Sequence, residues 1–303
     1  MDQLTTAPSL GKSGFAETPR MGRFINGTPY ALLAPNALWL LLFMLGPLVL
    51  LGTISFHVYE AGKGILDLWT FANYAAFLGD AFYNGVLAQT LLLGALTTFG
   101  CLVLGFPLAF ALSQARGWQR AALYLTVLMP LLTSAVVRTF GWMILLANNG
   151  FINRTMINLG LIDEPIKLMY TLTGITVALV EVLLPFMVLA LDAALLTIDP
   201  HLYEAARNLG ARGPRIFCQV TLPLCLPGIV SGSVLVFTLA VSAFVTPTLI
   251  GGPRIKLMST LIYQQSMGLS NWPFGAAIAF IMLATILALF VLTFRLTLPR
   301  DPG

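Results

Sequence analysis

The chain has 303 residues, 58% of them hydrophobic and only 9% charged, with a mean hydropathy of +0.88 and a net charge of +4. About a quarter of the residues in a water-soluble globular protein are charged, so this composition excludes that class and indicates an integral membrane protein. Nucleic acid is excluded as a partner, because no basic cluster is interleaved with stacking aromatics.

Residues 1–29 are polar and contain glycine and proline, the composition of a mobile tail. They lack the signal-peptide order of charge, short apolar run and small-residue cleavage site. Gly11-Lys12-Ser13 imitates the end of a phosphate-binding loop, but position 6 is threonine instead of glycine and no strand precedes it. ATP hydrolysis by this chain is therefore not expected, nor is a cofactor of its own. Six apolar runs follow, at 31–56, 86–114, 121–147, 170–197, 228–250 and 272–295. Each reaches the roughly 20 residues that cross hydrocarbon as a helix, and such long continuous runs exclude a β-barrel. The expected fold class is an all-α integral membrane protein. Six transmembrane helices occupy residues 30–297, with a polar loop at 198–227 and a short tail at 298–303. Membrane lipid is then the surrounding partner. Cys101, Cys218 and Cys225 suggest neither a disulfide nor a zinc framework. The sequons at Asn26 and Asn153 are read as chance matches.

Charges inside the third and fourth runs are costly in lipid, which makes each a functional candidate. Arg138 lies about nine residues before the outer end of the third run, and Glu181 about eleven after the outer start of the fourth; at about 1.5 Å per residue their depths match and they can meet. Two readings stay open: an ion pair that ties two helices together, or groups on a solute pathway. Asp192, near the other end of the fourth run, is expected to reach interfacial water or the polar loop. Pro185, Pro247 and the Gly251-Gly252 pair are expected to bend or break helices that face the interior. Gly228 and Gly232, a small-xxx-small pair, predict close helix packing.

The polar loop after the fourth run spells two short helices joined at a glycine. Asp199 can cap the first and Pro200 suits its first position, where no amide hydrogen is needed. Leu202, Ala205, Ala206 and Leu209 recur at helical spacing on one apolar face, and Gly210 closes the helix with the left-handed backbone that glycine adopts cheaply. A second short helix begins at Gly213-Pro214, and Pro223 and Pro227 restrict re-entry into the membrane. Charge sets the orientation. Lys12, Arg20, Arg23, Arg116, Arg120, Arg207, Arg212, Arg215, Arg295 and Arg300 fall on one side, while the cations on the other are balanced by acidic residues. The positive-inside rule puts both termini and the loop in the cytoplasm.

Glu204-Ala205-Ala206, then Gly210, then Val220, Leu222 and Pro223 resemble the EAA loop of the permease subunits of binding-protein-dependent ABC importers. Further stretches are similar to the spermidine/putrescine branch of that family: residues 137–142 (VRTFGW), Asn148-Asn149-Gly150 with Ile152-Asn153, residues 184–187 (LPFM), residues 244–252 (FVTPTLIGG) and residues 271–275 (NWPFG). An arginine in the third span is typical of the branch, whereas Glu181 and Asp192 stand where apolar or aromatic residues are usual. The resemblance covers roughly residues 30–296 and implies the type I importer permease fold. It implies a second permease subunit, two ATP-binding subunits and a periplasmic substrate-binding protein as partners, and a polyamine or amino-acid-like solute. Pro200–Leu209 would be the coupling helix, with Glu204 as the polar contact to the ATPase. The alternative from another class is a secondary transporter driven by an ion gradient, which calls for free intramembrane carboxylates and inverted repeats.

Overall fold

The structure is a computed structural model, and it describes residues 28–297; of the tail expected at 1–29 all but the last two residues, and the whole tail expected at 298–303, lie outside the described residues. Residues up to Leu50 and residues from Leu51 onward form two units. The first consists of the long apolar helix α1 (Thr28–Ser55) as far as Leu50, with Leu38 to Val49 exposed. The remaining elements belong to the second.

A hairpin of β1 (His57–Glu60) and β2 (Gly64–Trp69) follows, with Glu60 paired to Gly64 across the turn. The expectation of an all-helical chain missed this small element. Helix α2 (Ala72–Gly79) leads to α3 (Ala81–Gln114), which starts five residues before the run read from sequence. The reason is local: the Asp80 side chain accepts from the Phe82 amide at 2.8 Å and caps the helix there.

The third crossing differs most from expectation. It is a broken helix, with α4 (Gly117–Leu128), a 3-10 turn over Met129–Leu132, extended backbone at Thr133 and Ser134, and α5 (Ala135–Leu146). Pro130 cannot continue the helical hydrogen bonding. Its own carbonyl accepts from the Thr133 hydroxyl at 2.8 Å and from the Arg138 guanidinium. A polar break of this kind survives at membrane depth only where protein or water satisfies it. Helix α6 (Phe151–Asn158) follows a short turn. Length and hydropathy alone favour Ala135–Asn158 as the third span, but the turn at 147–150 interrupts it, and α4 is the segment that reaches the far end of the next helix through Arg120. Asn153 is buried and ties this turn together, donating to the carbonyls of Ala147 and Ile166 and accepting from the Ile166 amide at 3.0 Å.

Helix α7 (Leu172–Leu196) is the central rail and runs unbroken past the buried Pro185, where a break or bend was expected. After the loop helix α8 (Pro200–Asn208), α9 (Gly213–Ile216) passes through a π-turn at Phe217–Thr221 straight into α10 (Leu222–Ser242). The fifth span thus begins about four turns before the predicted 228. Pro223 and Pro227 do not end the helix, because the wider π-turn just before them takes up the lost hydrogen bonding. Gly228 and Gly232 let α10 approach α7 closely. A Cβ at Gly228 would overlap Ala194, and one at Gly232 would lie 2.9 Å from the Met187 sulfur. The helix then breaks at Ala243-Phe244, ahead of buried Pro247, and a π-turn over Pro247–Gly251 ends at Gly252. Helix α11 (Met258–Tyr263), a π-turn at Gln264–Gly268 and the last span α12 (Trp272–Thr297) complete the chain.

Helices α3, α7 and α10 share the main core, built from Cys101, Leu112, Met187, Leu191, Cys225 and Val236. Two smaller cores gather Phe77, Val86 and Ile278, and Leu93, Ile175 and Ile250. All three cysteines are free.

Candidate functional site

The polar loop forms the helix that its residues predict. The Asp199 side chain accepts from the His201 amide at 2.9 Å, and Pro200 occupies the first turn. At the other end Gly210 has φ +79. Its amide reaches the Arg207 carbonyl at 2.9 Å and the Ala211 amide reaches the Ala206 carbonyl at 3.0 Å. This paired closure satisfies carbonyls that would otherwise be stranded. Tyr203 packs against the main core and Ala206 is half-buried, so the helix is seated on the spans from one side. Leu202, Ala205 and Leu209 remain exposed, Leu209 at 89%. Glu204 is exposed too and, among the described residues, has only His201 as a side-chain partner, at 3.4 Å. The capped helix thus offers leucines and a carboxylate outward.

Inside the spans, α7 presents two carboxylates to the broken third crossing. Glu181 meets α5: its Oε2 accepts from the Trp142 indole at 3.3 Å and lies 3.7 Å from Arg138 Nε. Arg138 Nε is buried without a hydrogen bond, because that guanidinium is turned toward the Pro130 carbonyl. The predicted depth match is therefore real, and the contact is an ion pair without a hydrogen bond.

Asp192 corrects the reading from sequence. It reaches neither interfacial water nor the polar loop; its side chain is 2% exposed and meets α4. Its Oδ2 accepts from the Tyr124 hydroxyl and from Arg120 at 3.5 Å. Arg120 also lies 5.5 Å from the Tyr124 ring centre. Burial is tolerated because the charge is paired and hydrogen-bonded. Sequence reasoning missed Tyr124 and Pro130, and held Trp142 only as part of the 137–142 stretch. The signal was present: an arginine followed four residues later by an aromatic recurs in both halves of the third run, and i, i+4 residues share a helix face.

At the end of the spans away from α8, a cavity of about 730 Å³ is lined by Asn148, Asn149, Lys167, Tyr170 and Arg254 among others. Neither cation has an acidic partner there among the described residues.

Residues 18–298 match the family described as the binding-protein-dependent transport system inner membrane component. The spermidine/putrescine transport system permease protein PotB of Salmonella typhimurium (strain SL1344) is 36% identical, with 84% of this chain and 88% of the relative covered. The inner membrane ABC transporter permease protein YdcU of Escherichia coli (strain K12) is 31% identical over 94% of this chain and 93% of its own. Among solved structures, a bacterial ABC transporter involved in the import of alginate superposes with a TM-score of 0.72 at 20% identity, covering 89% of this chain and 96% of the other. At that identity the likeness speaks for the fold.

Proposed function

The chain belongs to the family of inner membrane components of binding-protein-dependent transport systems, and we propose that it carries a polyamine inward across the bacterial inner membrane. It is a multi-pass permease subunit of an ABC importer, with six stretches apolar enough to span. Both termini and α8 face the cytoplasm in this reading, as the clustered arginines require. The polyamine assignment draws on the relatives named for spermidine and putrescine transport.

One observation carries the mechanism: α8 is closed at both ends by its own hydrogen bonds and turns Leu202, Glu204, Ala205 and Leu209 away from the spans. Such a helix can be moved as a rigid body. Two ATP-binding subunits hold it, Glu204 making the polar contact, and their closure on ATP rocks the spans. Hydrolysis, which occurs in those subunits, resets them. A second permease chain completes the pathway, and a periplasmic substrate-binding protein delivers solute at the end of the spans away from α8.

The test is reconstitution of the four kinds of subunit in proteoliposomes with labelled spermidine. Uptake is expected to require ATP. Gly210→Pro, which removes an amide donor and the left-handed turn, and Glu204→Lys are each expected to abolish uptake while the chain still inserts. Normal uptake in both variants, or uptake that ignores ATP, would sink the reading.

A further inference from the structure

We propose that Glu181 and Trp142 form a mid-membrane subsite for a protonated amine of the passing solute, with Arg138 placed beside it to keep that hold weak. The inference rests on the polyamine reading above and names where such a solute would pause.

Glu181 stands about 14 Å below the start of α7. An ionised carboxylate at that depth cannot face lipid tails. Yet its side chain is 32% accessible, which leaves water, solute or another protein as its surroundings. Both of its contacts fall on Oε2, from Trp142 and Arg138. Oε1 has no partner among the described residues and is not among the buried unpaired atoms, so it is open to a donor.

The arginine argues against a plain fastener. A guanidinium that locked this carboxylate would donate to it directly, whereas Arg138 spends a donor on Pro130 and leaves Nε buried without a hydrogen bond. An offset cation at 3.7 Å reduces the pull of the carboxylate without occupying it. That suits a transit site, which must bind well enough to admit a cation and weakly enough to let it go. An alkylammonium brings three donors and no acceptor. It can take Oε1 while the half-buried indole face of Trp142 offers cation–π attraction.

The experiment measures binding of labelled spermidine to the complete complex in nanodiscs, without its binding protein and held with ATP by a hydrolysis-deficient ATP-binding subunit; uptake is measured separately, with active ATP-binding subunits and the binding protein, in the proteoliposomes described above. Glu181→Gln, nearly isosteric, is expected to weaken binding about tenfold, the worth of one charge-assisted hydrogen bond. Arg138→Gln is expected to tighten binding and slow uptake, a split that a merely structural pair would not produce. Trp142→Phe, which keeps a ring but loses the indole donor, should fall between wild type and Glu181→Gln. Unchanged affinity in Glu181→Gln overturns the proposal. Loss of the second permease from that variant's complex also overturns it, since the carboxylate would then face a subunit interface. If the wild-type complex imports no spermidine, the polyamine reading fails and this subsite falls with it. Wild-type uptake with indifferent variants fails the subsite alone.

Discussion

Glu181 and Asp192 make a natural pair for comparison. They lie about three turns apart on one helix, on the side that faces the broken third crossing. Each meets an arginine and, one turn further along, an aromatic donor: Arg138 with Trp142, Arg120 with Tyr124. In both cases every contact falls on one carboxylate oxygen. The difference is the other oxygen. Asp192 Oδ1 is buried and sealed from any ligand, while Glu181 Oε1 is open. The same recipe therefore yields a fastener at one end of α7 and a reachable anion at the middle. What separates them is how far the neighbouring chain closes over the second oxygen.

That contrast can be broken by mutation. Asp192→Ala should have the largest effect on stability, because it strands the Tyr124 hydroxyl and the Arg120 guanidinium near a buried surface. A loss of about 3 kcal/mol is expected, seen as a lower thermal midpoint of the detergent-solubilised chain, whereas Glu181→Ala should cost less in the same assay, because its carboxylate is partly accessible and takes no hydrogen bond from Arg138. Equal losses would erase the distinction. Gly228→Val comes next, at about 2 kcal/mol. It pushes α10 off α7 at Ala194, two residues from Asp192, so cysteine crosslinks between α7 and α10 should weaken while the α8 hydrogen bonds stay protected from exchange. The smallest and sharpest test is a pair of double-mutant cycles. Tyr124→Phe with Asp192→Asn should show a coupling of about 1 kcal/mol, and Arg138→Gln with Glu181→Gln a smaller one, because that ion pair carries no hydrogen bond. A larger coupling in the second pair would make Glu181 the fastener.

How much was legible beforehand depends on the range of the interaction. Helix α8 could be read almost residue by residue, because Asp199, Pro200 and Gly210 act on their own backbone within a few residues. The meeting of Arg138 with Glu181 was legible from depth alone, since helical rise converts residue counts into distance. The partner of Asp192 was legible only as the repeated arginine-to-aromatic spacing, because nothing local to either run shows that α4 crosses α7 at that level. Pro130 was the overlooked mark of the break. Pro223 and Pro227 were read as restricting re-entry into the membrane, whereas the helix runs through both from a π-turn just upstream.

By itself, then, the amino-acid order determined the membrane class, the number of spans, the side of positive charge and the capped loop helix, all of which follow from composition or from contacts a few residues long. The tertiary structure alone decided which carboxylate is buried, which oxygen stays open and where the third span breaks. Those outcomes depend on which helices become neighbours. In a membrane that choice falls to close packing, such as α10 against α7 through Gly228 and Gly232, because lipid tails are as apolar as the side chains and supply no hydrophobic preference.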